Sequence, residues 1–274
     1  MDGQILKAPF IEGFTQIGKA KMSEVHLAGV NHLCLTLKGR VSNFNDEFYC
    51  PDCKGDVKLV STGVLHTPPL FFLPSGGYIV RVVAAYRRLY CPCCGTNRYQ
   101  IVKFRKCVGS NMTLPLENFI IDLMAAGASL LALCRLTGKF VGQMQDYKAW
   151  KAAAEKLHEE ICRRDEAYRS TLDPQKARFE GLVVHDPGES AYLKADEFNF
   201  RGKERAFVVT CARTGHIVWL DTHKRPENSV KNMLERMDLS KVKSIACGQN
   251  QEARRAFRKN CPHLQLVRDF YRAF

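Results

Sequence analysis

The sequence predicts an α+β multidomain chain: a β-rich module built around clustered cysteines, a helical segment, and an α/β sheet with the element order βββαβαβ. Three observations carry this reading. Two C-x-x-C pairs, in "YCPDCKG" at 49–55 and "YCPCCGT" at 90–96, bracket runs rich in β-branched and aromatic residues. Past residue 110 the apolar residues recur at helical spacing. From residue 181, three strand-like runs follow one another and then alternate with helical ones. A chain of 274 residues has room for two or three small units. The composition shifts divide it into 1–45, 46–108, 109–178 and 179–274.

In the cysteine module, Cys50 and Cys53 form one pair and Cys91 and Cys94 the other, with Cys93 between the last two. Pro51 and Pro92 follow the first cysteine of each pair, and Gly55 and Gly95 close the turns. A tight turn lets two thiolates reach one tetrahedral ion, and glycine permits the backbone to turn its amides toward sulfur. The spacing therefore predicts structural zinc held by Cys50, Cys53, Cys91 and Cys94, with Cys93 an alternative to Cys94. Four cysteine ligands leave no open position, so the site is expected to hold a small zinc ribbon together rather than to catalyse. A redox C-x-x-C is the competing reading. The stretch between the pairs reads as a hairpin of "VKLVSTGVL" and "GYIVRVVAAYRRLY" with "PSGG" as its turn. The other seven of the 12 cysteines are scattered and suit small buried side chains.

The net charge of +13 points to a polyanionic partner, nucleic acid above all. An anionic membrane surface is the alternative, but no basic amphipathic helix stands out. No run approaches the roughly 18 apolar residues of a membrane span, and "MDGQILKAPF" lacks the layout of a signal peptide. A cytoplasmic protein without membrane contact is expected. Arg87, Arg88, Arg98, Lys103, Arg105 and Lys106 around the cysteine module suit phosphate contact, against the plainer reading of a solvated face.

In "LPLENFIIDLMAAGASLLALCRLTGKFVGQMQDYKAW", Phe119, Ile120, Leu123 and Met124 line one face. Leu130, Leu131, Cys134 and Leu136 repeat the pattern after Gly127, and Phe140, Val141, Met144 and Tyr147 begin a third helix after "TGK". Short helix, glycine turn and helix is the layout of a helix-turn-helix unit. Lys139, Gln143, Gln145 and Lys148 would be the exposed positions of its last helix, able to meet adenine, guanine or phosphate. An ordinary three-helix bundle fits the same pattern. A charged helix over 150–169 follows, with Trp150, Ala154, Leu157, Ile161 and Tyr168 as its apolar stripe. Glu159–Arg163, Glu160–Arg164 and Asp165–Arg169 are its favourable i,i+4 pairs.

The last unit reads as strands "YLKADEF", "RAFVVTCA" and "HIVWLDTH", then helix "RPENSVKNMLERM" with Asn228 or Ser229 as its cap. Strand "VKSIACG", helix "QNQEARRAFRKNC" and strand "LQLVRDF" complete it. This is the order of an RNase H-like sheet up to its fifth strand. Asp196, on the first strand, is the candidate catalytic carboxylate, with Glu197 pointing to the other face. In that chemistry two divalent ions about 4 Å apart are bridged by carboxylates, and magnesium is the usual ion.

Cysteine pairs, helical unit and then "LKADEFNFRGKERAFVVTCARTGHIV", in this order, resemble the insertion-sequence transposases of the ISL-three type. The resemblance covers about 50–274 and implies an amino-terminal zinc ribbon, helix-turn-helix segments and an RNase H-like core with an acidic triad. It also implies that "RDFYRAF" matches a fifth-strand Asp-x-Phe-His pattern, with Asp269 kept and Arg272 in place of histidine. The departures bear on activity. Where the second aspartate is expected, "SIACGQNQEARRAF" places Gly248, or Cys247 after a one-residue slip. The nearest acids, Asp238 and Glu252, lie in the flanking helices, and the chain reaches Phe274 before the insertion and helix expected to bring the third acid. With one carboxylate of three, Asp196 reads as a vestige. The expectation is a DNA-binding protein derived from a transposase and without cleavage activity, occupying element ends or repressing transposition. Its partners would be double-stranded DNA and a second copy or a full-length transposase. Two alternatives stay open: an active transposase completed in trans, which would use magnesium, and a zinc-ribbon module for protein–protein contact. An incomplete sheet is also expected to expose the face that a missing helix would cover.

Overall fold

The computed structural model describes residues 11, 14–27, 30–42, 49–53, 57–75, 78–107, 110–138, 141–169, 181–187, 191–200, 204–222, 225–247 and 250–268. The first half of the chain is organised by one long strand. β6 (Tyr78–Tyr90) is paired along both edges in a seven-stranded sheet. Its partners are β3 (Val30–Val41), β4 (Val60–His66), β5 (Leu70–Ser75) and β7 (Asn97–Tyr99), while β1 (Phe14–Gln16) and β2 (Lys21–Leu27) pair with β3. β5 and then β4 run antiparallel along one edge of β6. β3, which is parallel, and β7, which is antiparallel, occupy the other. Residues before 45 and after 46 therefore share one ladder, with β3 paired to β6 from Cys34 to Arg40. The expected two-stranded hairpin is a three-stranded arrangement. "LFFLPS" is the additional strand β5, and all six of its residues are buried. A short, continuous apolar run carries no alternation to reveal it as a strand.

α1 (Leu114–Ala125) begins with proline in its first turn, where the missing N–H costs no hydrogen bond. α2 (Leu130–Thr137) is capped by Ser129, whose hydroxyl accepts from the Ala132 N–H at 3.2 Å, and stops at Gly138 in the left-handed region. Val141 and Met144 do not join the expected third helix. A single 3-10 turn, Val141–Gln143, is followed by α3 (Tyr147–Arg169), 23 residues long. Trp150, Ala154 and Ile161 of α3 are buried as its apolar stripe predicts. The expected i,i+4 pair Glu160–Arg164 forms at 2.6 Å. Glu160 also binds Arg163, and Asp165 meets Arg236 at 2.5 Å.

The second sheet contains β8 (Tyr192–Phe200), β9 (Glu204–Cys211), β10 (Ile217–Asp221), β11 (Ser244–Cys247) and β12 (Gln265–Arg268). α4 (Pro226–Arg236) precedes β11 and α5 (Gln251–Asn260) precedes β12, so the element order βββαβαβ is as expected. In space the order is β10-β9-β8-β11-β12. β8, β9 and β10 form an antiparallel meander, and β11 runs parallel to both β8 and β12. Asn250 caps α5 by accepting from the Ala253 N–H at 2.9 Å. Neither Asn228 nor Ser229 caps α4, whose N-cap is Arg225. Ser229 is instead buried inside the helix, accepting from Trp219 Nε1 and donating to Asp221.

This sheet buries both faces. Leu193, Ala195, Val209 and Trp219 pack against Val230, Met233 and Phe257 of the two helices. The opposite face is not left bare. Phe198, Ala206, Val208 and Ile217 enter one core with Leu116, Phe119 and Ile120 of α1 and with Phe71 and Phe72 of β5. The Phe119 and Phe198 rings lie 6.4 Å apart, within the range of favourable aromatic pairs. Each such side chain contributes about 1.5–3 kcal/mol when fully buried. Shared burial therefore joins the amino-terminal sheet, the helical segment and the carboxy-terminal sheet.

α1 also docks along the turn between β9 and β10. Asn118 Nδ2 donates to the Thr214 carbonyl at 2.8 Å, and Gly215 sits at φ +80° directly against the Pro115 backbone. A side chain at 215 meets both a forbidden conformation and the start of α1. Gly215→Ala is expected to cost roughly 2–5 kcal/mol in urea unfolding, combining backbone strain with overpacking. Gly127→Ala, at φ +84° in open space, is expected to cost only about 1 kcal/mol.

Candidate metal centres and the strand-end carboxylate

The two cysteine turns face each other across the sheet. Cys91 follows β6 directly, and the Tyr49–Lys58 bridge brings the first turn alongside. Cys50 N–H donates to the Val57 carbonyl and Cys91 N–H to that of Thr96. Gly95 adopts φ +74°, the left-handed conformation that closes the second turn. Cys50 Sγ lies 3.6 Å from Cys94 Sγ, and Cys53 Sγ lies 3.8 Å from Cys91 Sγ. All four sulfurs fall within 4.8 Å of one another. A tetrahedral ion with metal–sulfur bonds of about 2.3 Å needs sulfur–sulfur edges of about 3.8 Å. The four cysteines are thus a group able to hold a metal such as zinc, and the fourth member is Cys94. Cys93 is exposed and outside the group.

The protonation behaviour of these thiols suits a metal. Hydrogen bonds to the side chain and backbone of Thr96 pull the Cys94 thiol down to about 6. Desolvation and the surrounding sulfurs hold Cys53 well above its ordinary value. Four thiols this close cannot all ionise unless a cation replaces their protons. Leu59 and Leu89 pack beside Cys50 and Cys91 in a small core of their own. That core holds few side chains, so a metal would be its principal tie.

The basic residues around this module divide into two sets. Arg87, Arg88 and Lys103 are exposed. Arg87 and Arg88 are neighbours on β6, so they serve opposite faces of the sheet. The other three are half-buried. Arg98 binds Asp52 at 2.5 Å, and Arg105 Nε donates to the Ser110 carbonyl. Lys106 is shared between Glu117 at 2.5 Å and Asp146 at 2.7 Å, beneath the Trp150 ring. Lys106 is therefore a structural cation of the helical unit and not a phosphate contact.

The residues assigned to a DNA-reading helix do not share one. Gln143 closes the 3-10 turn, Gln145 lies between the turn and α3, and Lys148 is in the first turn of α3. Gln145 and Lys148 are exposed. Lys139 lies outside the described residues, as do Gly55, Phe140, Asp269 and Arg272. Asp146 is occupied by Lys106.

Asp196 lies on β8, the central strand of the second sheet, but faces the core shared with α1 and β5. It is only 7% exposed. Lys194, two residues earlier on the same face, places its Nζ 3.4 Å from Asp196 Oδ2 and donates to the Pro74 carbonyl at 3.1 Å. Glu197 points to the other face, where Asn250 Nδ2 at 2.7 Å and Arg205 hold it. β11 ends on Cys247, paired in register with Ala195, and its thiol is buried. Gly248 lies outside the described residues. Asp238 is exposed and bonded to Ser240, and Glu252 is an exposed residue in the first turn of α5.

A second donor group was not legible in the sequence. Asp122 of α1 is fully buried. Its Oδ1 lies 2.9 Å from His185 Nε2, and its Oδ2 lies 3.1 Å from His216 Nδ1 and accepts the Ile217 N–H at 2.6 Å. The two imidazoles stand 4.4 Å apart, centroid to centroid. Burial alone would raise the Asp122 carboxyl, but hydrogen bonds from His185 and His216 outweigh it and hold the group below the usual carboxylate range. Hydrogen bonding to Asp122 raises His216 in turn. The histidines stand 63 and 94 positions from Asp122 in sequence, so no spacing rule could join them. The single hint is an acid on the apolar side of a helix.

No protein-family model matches this chain, and no curated protein matches it. Protein prepared with zinc is expected to retain one thiolate-bound ion. Cys93→Ser should leave that ion in place, and Cys94→Ser should lose it with a fall in thermal stability. Elemental analysis combined with thiol titration of both variants checks the assignment.

Proposed function

We propose that the chain is a DNA-binding protein on a transposase-type architecture, with a structural zinc ribbon and a core that does not cut DNA. The burial of Asp196 against Lys194 carries this reading. A metal-dependent strand-transfer centre needs carboxylates that can bridge two hydrated cations about 4 Å apart. The resemblance assigns Asp196 the role of the first of these acids, yet it meets a buried ammonium and an apolar core. The neighbouring strand end supplies Cys247, which is not a hard oxygen ligand for magnesium.

Three observations support the ancestry. The order β10-β9-β8-β11-β12, with an antiparallel meander followed by two parallel strands, is the one expected of an RNase H-like sheet. The four-cysteine group at the end of β6 suits a zinc ribbon. The helical segment lies between these two parts, in the order that the resemblance to the ISL-three-type enzymes implies. The charge of +13 supports duplex DNA as the partner, with Arg87, Arg88, Lys103 and Lys148 as exposed cations for phosphate. Such a protein would occupy element ends or assemble unproductively with a full-length transposase.

A salt titration on duplex DNA tests the binding half. The logarithm of affinity is expected to fall steeply with the logarithm of salt concentration. Arg87→Ala and Arg88→Ala should each make that slope shallower by about 1 if the arginine neutralises a phosphate. Indifference to duplex DNA at low ionic strength would favour a protein-contact module instead. Incubation of supercoiled DNA with magnesium or manganese tests the other half. No nicking is expected, and nicking that disappears in Asp196→Ala would establish an active core.

A further inference from the structure

We propose that Asp122, His185 and His216 form a second metal site, specific for a zinc-class transition ion, at the junction of α1 with the carboxy-terminal sheet. The three donors come from separate parts of the chain: α1, the segment before β8, and the start of β10. Their ligand atoms lie within 4.8 Å of one another. Asp122 Oδ1 is 2.9 Å from His185 Nε2 and 3.4 Å from His216 Nδ1. A tetrahedral zinc with bonds of about 2.0–2.1 Å to nitrogen and oxygen needs donor edges of about 3.3–3.4 Å. These two edges therefore come within a few tenths of an ångström of that spacing without a rearrangement of the backbone.

The chemistry of the set selects the ion. Two imidazoles and one carboxylate favour zinc, cobalt, nickel or copper over magnesium and calcium, which prefer all-oxygen sites. The Ile217 N–H fixes the carboxylate by binding Oδ2, which also lies 3.1 Å from His216 Nδ1, so the carboxylate is held with both rings beside it. The two rings stand 4.4 Å apart, on either side of the carboxylate that both of them contact. A divalent cation satisfies the buried carboxylate and both ring nitrogens together. Three protein ligands leave a fourth position, and the 29% and 38% exposure of the His185 and His216 side chains gives solvent access to the group. Water or a small anion would complete the sphere.

The consequence is mechanical. A metal here ties α1 to β10 and to the segment carrying His185, next to the Asn118–Thr214 and Gly215–Pro115 contacts. It would set how firmly the amino-terminal half is seated on the second sheet. This site is independent of whether the chain binds DNA.

Cobalt titration of the full chain with its cysteine group already filled by zinc tests the proposal. One equivalent of cobalt is expected to bind with weak visible d–d bands and no thiolate charge-transfer band, and zinc should displace it. His185→Ala and His216→Ala should each weaken this binding tenfold or more while the thiolate-bound zinc stays at one equivalent. Asp122 is too buried for a clean variant, so a second measurement uses the unaltered protein. Zinc should protect His185 and His216 from carbethoxylation, as located by peptide mass mapping, and leave exposed His66 reactive. No cobalt spectrum beyond the cysteine group, or cobalt binding unchanged in both histidine variants, would overturn the proposal. So would carbethoxylation of the two rings at the same rate with and without zinc.

Discussion

A carboxylate removed from water must find compensation, and Asp122 finds it in three places at once. Its oxygens take an imidazole from before β8, an imidazole at the start of β10 and the backbone N–H of Ile217. Leaving such a group unsatisfied would cost several kcal/mol. The position of α1 on the second sheet follows from this demand. Once α1 is seated, Phe119 reaches Phe198, Asn118 reaches Thr214, and the β9–β10 turn needs a glycine where it passes Pro115. The core that joins the two halves is built around the same helix.

That seating also decides the fate of Asp196. In a sheet whose face is open to solvent, a carboxylate on the central strand is free to gather cations. Here α1 and β5 cover that face, and Lys194 fills the remaining space beside the carboxylate. The arrangement that completes the apolar core thus buries Asp196 beside an ammonium.

The two donor groups differ in what a metal would do. The sulfurs of the four cysteines lie within 4.8 Å of one another beside a core of only a few side chains. An ion there would supply stability that the local burial cannot. Asp122, His185 and His216 sit instead at a seam between elements already held by a large core, with two of the ligands partly open to solvent. An ion there would adjust an interface more than create it.

Much of the architecture was legible because it depends on local rules. Two C-x-x-C turns of fixed length announce four converging thiols, and only the choice between Cys93 and Cys94 needed the fold. Alternation and helical spacing placed β8 to β12 with α4 and α5, since strands and helices impose their own periods on a sequence. Where the local signal was weak, the outcome differed. "LFFLPS" had no alternation because it is buried on both sides, and Val141–Gln143 forms a 3-10 turn ahead of α3 where a continuous third helix was expected. The tertiary structure alone decided which acids are buried, and against what. Asp196 meets Lys194, Asp165 meets Arg236, and Asp122 meets two histidines dozens of residues away. Sequence spacing governs neighbours within one turn or one strand. Charges buried at a junction answer to whichever element the packing of apolar surfaces brings alongside, and that is a property of the whole fold.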